Sequence, residues 1–404
     1  MLLKLAWRNI WRNRRRSLIT LASIVFAVML STFMESLQKG AWNHMIDNVV
    51  SSYYGYVQIH SKGYWDDQVI DRAFMFDDSL GRVAADLPSA VSLVPRLESF
   101  ALGASANRTR AVMLVGTDPA AEDALTGLSG KVIEGKYPRN AGEGMLIGDG
   151  LARQLDLGVG DTIVLISQGF RGVNAAGKYA ISGIVSLGSP ELDKMMAWMS
   201  LPEAQWFFGA EGRVTSLAVD PGGGHAKQVT KLLRTTLDTS QYEIMSWEEL
   251  LPELLEARAL DSAGNYIVYF ILYLIIAFGM YGTILMMARE REYEFGVLLA
   301  VGMRRLALGW SVYLEVLMLG LFGALAGMVL SVPLVWYFRI HPLRFTGDIA
   351  ASLEKFGFEP IFPTSVEPRV FLMQAAVVLI LTTALALYPI VKIAGIRPMV
   401  AMRK

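Results

Sequence analysis

The sequence predicts an α-helical membrane protein: four transmembrane helices, with an α+β domain between the first two that is built as a split βαβ unit carrying a small inserted β-barrel. Three observations carry this. Four runs free of Asp, Glu, Lys and Arg, at Ser17–Met34, Tyr266–Ala288, Val316–Phe338 and Val370–Val391, are each long enough to cross about 30 Å of hydrocarbon at about 1.5 Å per helical residue. Residues 39–262 separate the first two runs and contain no other such run. That intervening stretch alternates short β-rich runs with helical ones.

Composition agrees. A chain of 404 residues with 53% hydrophobic and 18% charged residues, and a mean hydropathy of +0.39, is too apolar for an ordinary soluble enzyme and too charged to be all membrane. The formal net charge is zero, which gives no reason to expect a nucleic-acid partner. With no cysteine, a disulfide framework, a thiolate nucleophile and a cysteine metal site are excluded.

The first run follows a basic segment (Lys4, Arg8, Arg12, Arg14, Arg15, Arg16), as a signal peptide would. It is long, however, and Ser31-Thr-Phe-Met-Glu35 makes a poor cleavage site, so a retained anchor is expected. Orientation follows from the Lys and Arg counts near the span ends. Residues 1–16, 289–305 and 392–404 together carry fourteen in 46 residues, against four in the 31 residues of 339–369. Both termini and the short loop after the second span are therefore expected in the cytoplasm, with 39–262 outside.

In the outside stretch the patterning predicts a strand at Tyr56–His60, a polar helix near Asp78–Leu87 and β-rich runs at Val91–Leu102 and Thr109–Val115. After it come a strand at Thr215–Val219, a Gly222–Gly224 break, a helix over His225–Leu237 and a strand at Tyr242–Ser246. That order reads as a split βαβ unit. Between the halves, residues 120–210 hold short strands at Met145–Ile147, Thr162–Ile166, Tyr179–Val185 and Met195–Met199 among many glycines, which suits a small barrel. The loop Ser167–Lys178, with three glycines around Phe170 and Arg171, should be mobile and exposed.

Familiar catalytic signatures are missing. Gly130-Lys-Val-Ile-Glu-Gly-Lys-Tyr137 comes within one residue of a phosphate loop, but Tyr137 cannot supply the small hydroxyl that holds magnesium, and the segment lies outside, where there is no ATP. His44, His60, His225 and His341 lack metal-ligand spacing, and there is no Gly-x-Ser-x-Gly elbow. A non-catalytic chain is expected, with no metal site and no cofactor of its own.

After the second span comes Ala288-Arg-Glu-Arg-Glu-Tyr-Glu-Phe-Gly-Val-Leu-Leu-Ala-Val-Gly-Met-Arg-Arg305. Acids stand early and bases late around the run Phe295–Val301, the arrangement that a short amphipathic helix favours. By physics alone it could couple to a partner or merely orient spans two and three. The segment resembles the coupling helix of the FtsX, MacB and LolC/LolE superfamily of ABC permeases, with Arg291, Glu294, Gly296, Ala300 and Gly302 on the family signature. Trp7-Arg-Asn-Ile-Trp-Arg-Asn-Arg-Arg-Arg-Ser17 is similar to the family's basic leading helix, and Tyr388-Pro-Ile-Val-Lys-Ile-Ala-Gly-Ile-Arg-Pro398 to its exit from span four, except for Arg397, where many relatives carry Asp. Val115-Gly-Thr-Asp-Pro119, residues 147–161 and Tyr56–Tyr64 look most like the lipoprotein-releasing permeases.

The resemblance implies a division into a leading helix and first span (1–38), an outside domain (39–262, with porter 39–119 and 211–262 and sabre 120–210), a second span (263–288), a coupling helix (289–305), a third span (306–338), an outside loop (339–369), a fourth span (370–391) and a cytoplasmic tail (392–404). It also implies partners: a cytoplasmic ATPase dimer holding ATP and magnesium, a second permease copy or paralogue, and a periplasmic carrier or adaptor. Localisation would be the bacterial inner membrane, and the cargo a lipoprotein or lipid taken from its outer leaflet. Arg289, Glu290, Arg291, Glu294, Phe295, Gly296, Ala300 and Gly302 would meet the ATPase. Tyr266, Tyr269 and Tyr273 would line an acyl cavity, with an interfacial aromatic belt as the plainer alternative. Glu315, the only acid of span three, would act at membrane depth or sit among headgroups. Gly323 and Gly327 form a small-xxx-small packing face. Phe170 and Arg171 occupy the place of a carrier-binding hook. MacB-like export through an adaptor, and an FtsX-like relay to a cell-wall hydrolase, are the alternatives to lipoprotein release.

Overall fold

A computed structural model describes all residues except 1, 13, 77–79, 81–91, 107, 222–225, 356–358 and 396–404. The helix expected near 78–87, the break at 222–224, His225 and the tail beyond residue 395, Arg397 included, lie outside the described residues. The chain forms two compact units, one of Met1–Asn43, Arg258–Arg344 and Ile361–Lys404, the other of His44–Ala257 and Phe345–Pro360.

The first unit is helical: α1 (Leu2–Arg12), α2 (Arg14–Val49), α3 (Pro252–Glu290), α4 (Glu292–Ala300), α5 (Arg305–Ile340), α6 (Pro368–Leu385) and α7 (Leu387–Ala394). Among the described residues, four helices are long and apolar enough to cross a membrane. The second and third of these elements outrun the apolar runs that identified them. At about 1.5 Å per residue, the 36 residues of α2 cover about 54 Å, well beyond the hydrocarbon thickness. The fourth span is divided at Ala386 into α6 and α7.

Small residues set the helix packing. A Cβ on Gly323 would lie 2.6 Å from Ile24 Cγ2, and one on Gly327 would lie 2.7 Å from Val28 Cβ, so the small-xxx-small face lets α5 close onto α2. Gly40 of α2 has the same role toward residues 363–365: its Cβ would fall 2.2 Å from the Pro363 carbonyl oxygen, and the Ser365 N–H donates to Ser36 O at 2.8 Å. Residues 339–369, expected as one loop, are therefore structured. Leu343–Arg344 pairs with Ile361–Phe362, and residues 345–360, with the helix Asp348–Lys355, belong to the other unit. There Glu359 pairs with His44 Nε2 at 2.9 Å and accepts from Asn48 Nδ2 at 2.8 Å.

The second unit holds one ten-stranded sheet: β1 (Val57–Ser61), β2 (Ser92–Ala104), β3 (Thr109–Thr117), β4 (Val132–Gly135), β5 (Met145–Gly148), β6 (Thr162–Gln168), β7 (Asn174–Val185), β8 (Met196–Ser200), β9 (Ser216–Asp220) and β10 (Tyr242–Ser246). Its open part runs β10-β1-β9-β2, all antiparallel. The helix Ala226–Thr236 lays Val229 and Leu233 onto Val57, Ile59, Leu217 and Val219.

The remaining strands close a six-membered ring, β2-β3-β8-β5-β7-β6 and back to β2, with β4 added outside on β7. Leu97, Val112, Leu114, Ile147, Ile163, Leu165 and Phe208 fill its interior. Closure removes free strand edges. The sequence places 91–115 in the flanking subdomain, whereas β2 and β3 are also two of the ring's staves. The reason is length: the 13 residues of β2 reach from β9, paired at Arg96, to β6, paired at Leu102.

A buried ion pair ties this sheet to the helix Pro119–Thr126. Arg96 donates from Nε and Nη2 to the two oxygens of Glu122 at 2.8 and 2.7 Å, and from Nη1 to Tyr53 O at 2.6 Å. Its guanidinium carbon also stands 5.2 Å from the centre of the Tyr53 ring. The phosphate-loop lookalike is edge strand: Lys131 Nζ donates to Ser52 Oγ at 2.8 Å, the Tyr137 hydroxyl donates to Pro119 O at 2.7 Å, and the chain runs on into β5 rather than a helix.

Candidate functional site

The segment after the second span folds as expected into a short helix, α4, but its sides are distributed differently. With 3.6 residues per turn, positions 293, 297, 300 and 301 fall on one side and 291, 295 and 299 on the other. Phe295 is 1% exposed, in a core with Ile284, Leu308, Val312 and Val316. Arg291, which caps the helix, is buried, and its Nη1 donates to both oxygens of Glu315 at 2.9 and 2.7 Å. Its guanidinium lies 5.3 Å from the Phe295 ring centre. Gly296 is buried as well. Arg291, Phe295 and Gly296 are therefore buried within this chain and anchor the helix. The reason lies in Glu315: a carboxylate 1% exposed within α5 needs a cation, and Arg291 is the one in reach.

The pair extends toward solvent. Arg291 Nε stands 3.4 Å from Glu294 Oε2, and Arg12 Nη2 donates to the same oxygen at 2.7 Å. One chain of alternating charge thus links α1, α4 and α5. Sequence reasoning found Arg291, Glu294 and Glu315 separately, and it missed Arg12 as their partner because nothing local signals it.

The free side of α4 carries Tyr293 at 56% and Val301 at 83% exposure, with Val297 and Ala300 between them. Arg289 and Glu290 are exposed just ahead, at the end of α3. Gly302 closes the helix at φ +103°, a left-handed conformation that other residues avoid, so its place in the segment has a backbone cause.

The three tyrosines do come together. Tyr266, Tyr269 and Tyr273 line a cavity of about 570 Å³ between α2, α3 and α6, beside Glu35, Lys39 and Arg258. The Tyr269 hydroxyl donates to Gln38 Oε1 at 2.5 Å, and the Tyr273 hydroxyl donates to Gln374. Glu315 is not part of it. Below the cavity mouth, Asp261 accepts from Trp42 Nε1 at 2.6 Å.

Residues 167–178 form a hairpin whose turn residues Arg171, Gly172 and Val173 are exposed. β6 runs on to Gln168 and β7 starts at Asn174, leaving five residues to turn. A Cβ on Gly169 would lie 2.3 Å from Phe208 O, so the turn sits directly on the helix Leu201–Phe208. Phe170 packs on the ring's core with the Arg171 and Arg213 guanidinium carbons 5.2 and 4.6 Å from its ring centre, and the Arg171 N–H donates to Asp71 Oδ1 at 2.6 Å. Phe170 and the Arg171 backbone thus fasten the hairpin, while the Arg171 side chain is exposed.

Comparison with known proteins adds the lineage. Residues 17–235 match the MacB-like periplasmic core domain and residues 266–398 the C-terminal part of FtsX-like permeases. The lipoprotein-releasing system transmembrane protein LolC of Neisseria meningitidis is 23% identical over 338 residues, which cover 80% of this chain and 81% of that protein. LolC of Xylella fastidiosa is 24% identical over 328 residues, 78% of each. The solved periplasmic region of MacB from Actinobacillus actinomycetemcomitans aligns with 53% of this chain and 98% of its own length at 14% identity and a TM-score of 0.36. A chain with four long apolar helices among its described residues, an inserted α/β unit, and family matches over both parts belongs to the FtsX/MacB/LolC superfamily of ABC transporter permeases.

Proposed function

We propose that the chain is a non-catalytic permease subunit whose partner, a cytoplasmic ATPase dimer, docks on the outward side of α4 and drives motion of the α/β unit on the far side of the membrane. The observation that carries this is the two-sidedness of α4. One side is locked by Arg291 to Glu315, while Tyr293, Val297, Ala300 and Val301 form an uncovered apolar strip beside Arg289 and Glu290. A small apolar strip with a charged rim is the kind of surface that a protein groove buries. ATP and magnesium belong to the partner.

The basic residues of 1–16 and 289–305 put α1 and α4 in the cytoplasm, and the α/β unit then lies in the periplasm. The ring corresponds to a sabre and the open sheet to a porter. The long helices α2 and α3 serve as stiff levers between the two sides. Lipoprotein release is the preferred role, because two relatives over most of the chain carry that name; the tyrosine-lined cavity of about 570 Å³ would take an acyl chain. The apolar outward face of α3, with Phe270, Ile275 and Phe278, suits a second permease copy or a paralogue. A carrier would receive the cargo. The MacB-like match over 17–235 favours, as the second reading, export driven through a periplasmic adaptor.

The absence of cysteine makes the test direct. Tyr293→Cys or Val301→Cys should cross-link to a co-expressed ATPase and react with a membrane-impermeant maleimide only from the cytoplasmic side, while Phe295→Cys stays inert. Reaction of position 295 but not of 293 and 301 would overturn the docking side. Mass spectrometry of material trapped in the complex decides the cargo: an acylated protein supports release, and an adaptor without lipidated cargo supports the second reading.

A further inference from the structure

We infer that the groove between α1, α4 and α5 is a binding site for an anionic phospholipid headgroup. The groove has a volume of about 850 Å³. One wall is α1, on which Lys4, Arg8 and Arg12 recur every fourth residue and so form a single cationic stripe. Arg12 is engaged by Glu294, whereas Lys4 and Arg8 meet no carboxylate within ion-pair distance among the described residues. The opposite wall is apolar, made by Leu298 of α4 and by Leu308 and Val312 of α5.

Set into it is Ser311, 1% exposed, whose hydroxyl has no hydrogen-bond partner. A buried hydroxyl left without a partner costs free energy, so it marks a place where a polar ligand atom completes the structure. Two free cations, an unsatisfied hydroxyl and an adjoining apolar wall match a phosphodiester joined to acyl chains, and a free anion would use only half of that surface. Trp7 and Trp11, 43% and 54% exposed, line the same groove from α1 and are residues that settle at the headgroup level and hold the helix there. Neither the coupling role of α4 nor the tyrosine-lined cavity uses this groove.

The site rests on α1 lying at a membrane surface, and the test separates that premise from the site itself. The full-length protein is extracted from membranes and examined by native mass spectrometry with phosphatidylglycerol, with phosphatidylcholine, and with inorganic phosphate as competitor. The expected result is preferential retention of phosphatidylglycerol, weakened about tenfold or more by Lys4→Gln/Arg8→Gln, since each basic residue contributes on the order of a few-fold to tenfold at an anionic surface. Phosphate should not displace the lipid. Arg14→Gln/Arg15→Gln removes the same charge from the exposed start of α2, outside the groove, and should retain binding. Equal losses in both double variants, equal retention of the two lipids, or displacement by phosphate would each overturn the headgroup site. Failure of the wild-type chain to fractionate with membranes would instead overturn the premise.

Discussion

Two buried arginine–glutamate pairs hold this molecule together, and they differ in how they meet their surroundings. In the α/β unit, Arg96 forks onto Glu122 with two nitrogens and spends its third on a backbone carbonyl, and Thr117 Oγ1 stands 3.2 Å from the same carboxylate. Every partner is itself buried. In the helical unit, Arg291 reaches Glu315 with one nitrogen, and the next links, Glu294 and Arg12, are open to solvent. The first pair is sealed on all sides and can only be kept or broken. The second grades outward to water, so its outer links can exchange while the inner one holds, as would suit the coupling role proposed for α4.

That contrast can be broken from either end. The largest effect is expected for Arg96→Met, which leaves Glu122 buried and uncompensated and should cost about 3–5 kcal/mol, read as lost protease resistance of the α/β unit. Arg291→Ala should cost less, about 2–3 kcal/mol, because this pair is joined through one nitrogen rather than two and leads outward to the exposed Glu294 and Arg12; thermal unfolding of the extracted chain checks this. The exchange Arg291→Glu/Glu315→Arg should recover part of that loss, and no recovery would mean that the pair matters through shape rather than charge.

Asp193 gives a smaller effect with a defined pH window. Burial pushes its carboxyl up to about 6 from an ordinary 3.8, although it accepts the Leu187 N–H at 2.8 Å. The native state therefore binds the proton more tightly than the unfolded chain, and the stability this contributes is lost as pH rises from about 4 through 6. Asp193→Asn should then gain roughly 1–2 kcal/mol at pH 7 and nothing at pH 4, seen as the variant-minus-wild-type difference in unfolding. Smallest of all, Glu294→Lys breaks the exposed link to Arg12 and should shift stability by about 0.5 kcal/mol or less. If α4 transmits the ATPase stroke, this variant should nevertheless lose ATP-driven activity. Full activity would show that the outer links are idle.

Sequence alone carried the apolar spans, the inserted domain and the helix at 292–300, because each is written in a local period or a local absence of charge. The partners of its charges were not legible. Glu122 stands 26 residues from Arg96, and Glu315 stands 24 from Arg291, so neither pairing leaves a spacing to read. For the same reason Arg291 and Phe295 looked like a docking surface: an arginine beside an aromatic has one appearance in sequence whether it faces a partner or a buried acid. The hairpin at Phe170 shows a second kind of hidden contact. Its glycines suggested slack, yet Gly169 is there because Phe208 O leaves no room for a side chain. The tyrosines did converge, since Tyr266, Tyr269 and Tyr273 recur at helical spacing on α3.

The sharing of β2 and β3 between the open sheet and the closed ring bears on how force would pass through the α/β unit. The two staves are paired to each other from Arg96–Thr117 to Ala104–Thr109, a double rail with no linker at which one part could swivel on the other. A twist applied to the open sheet is felt by the ring at once and in full. The unit is thus geared like a key, its bow and blade cut from one strip.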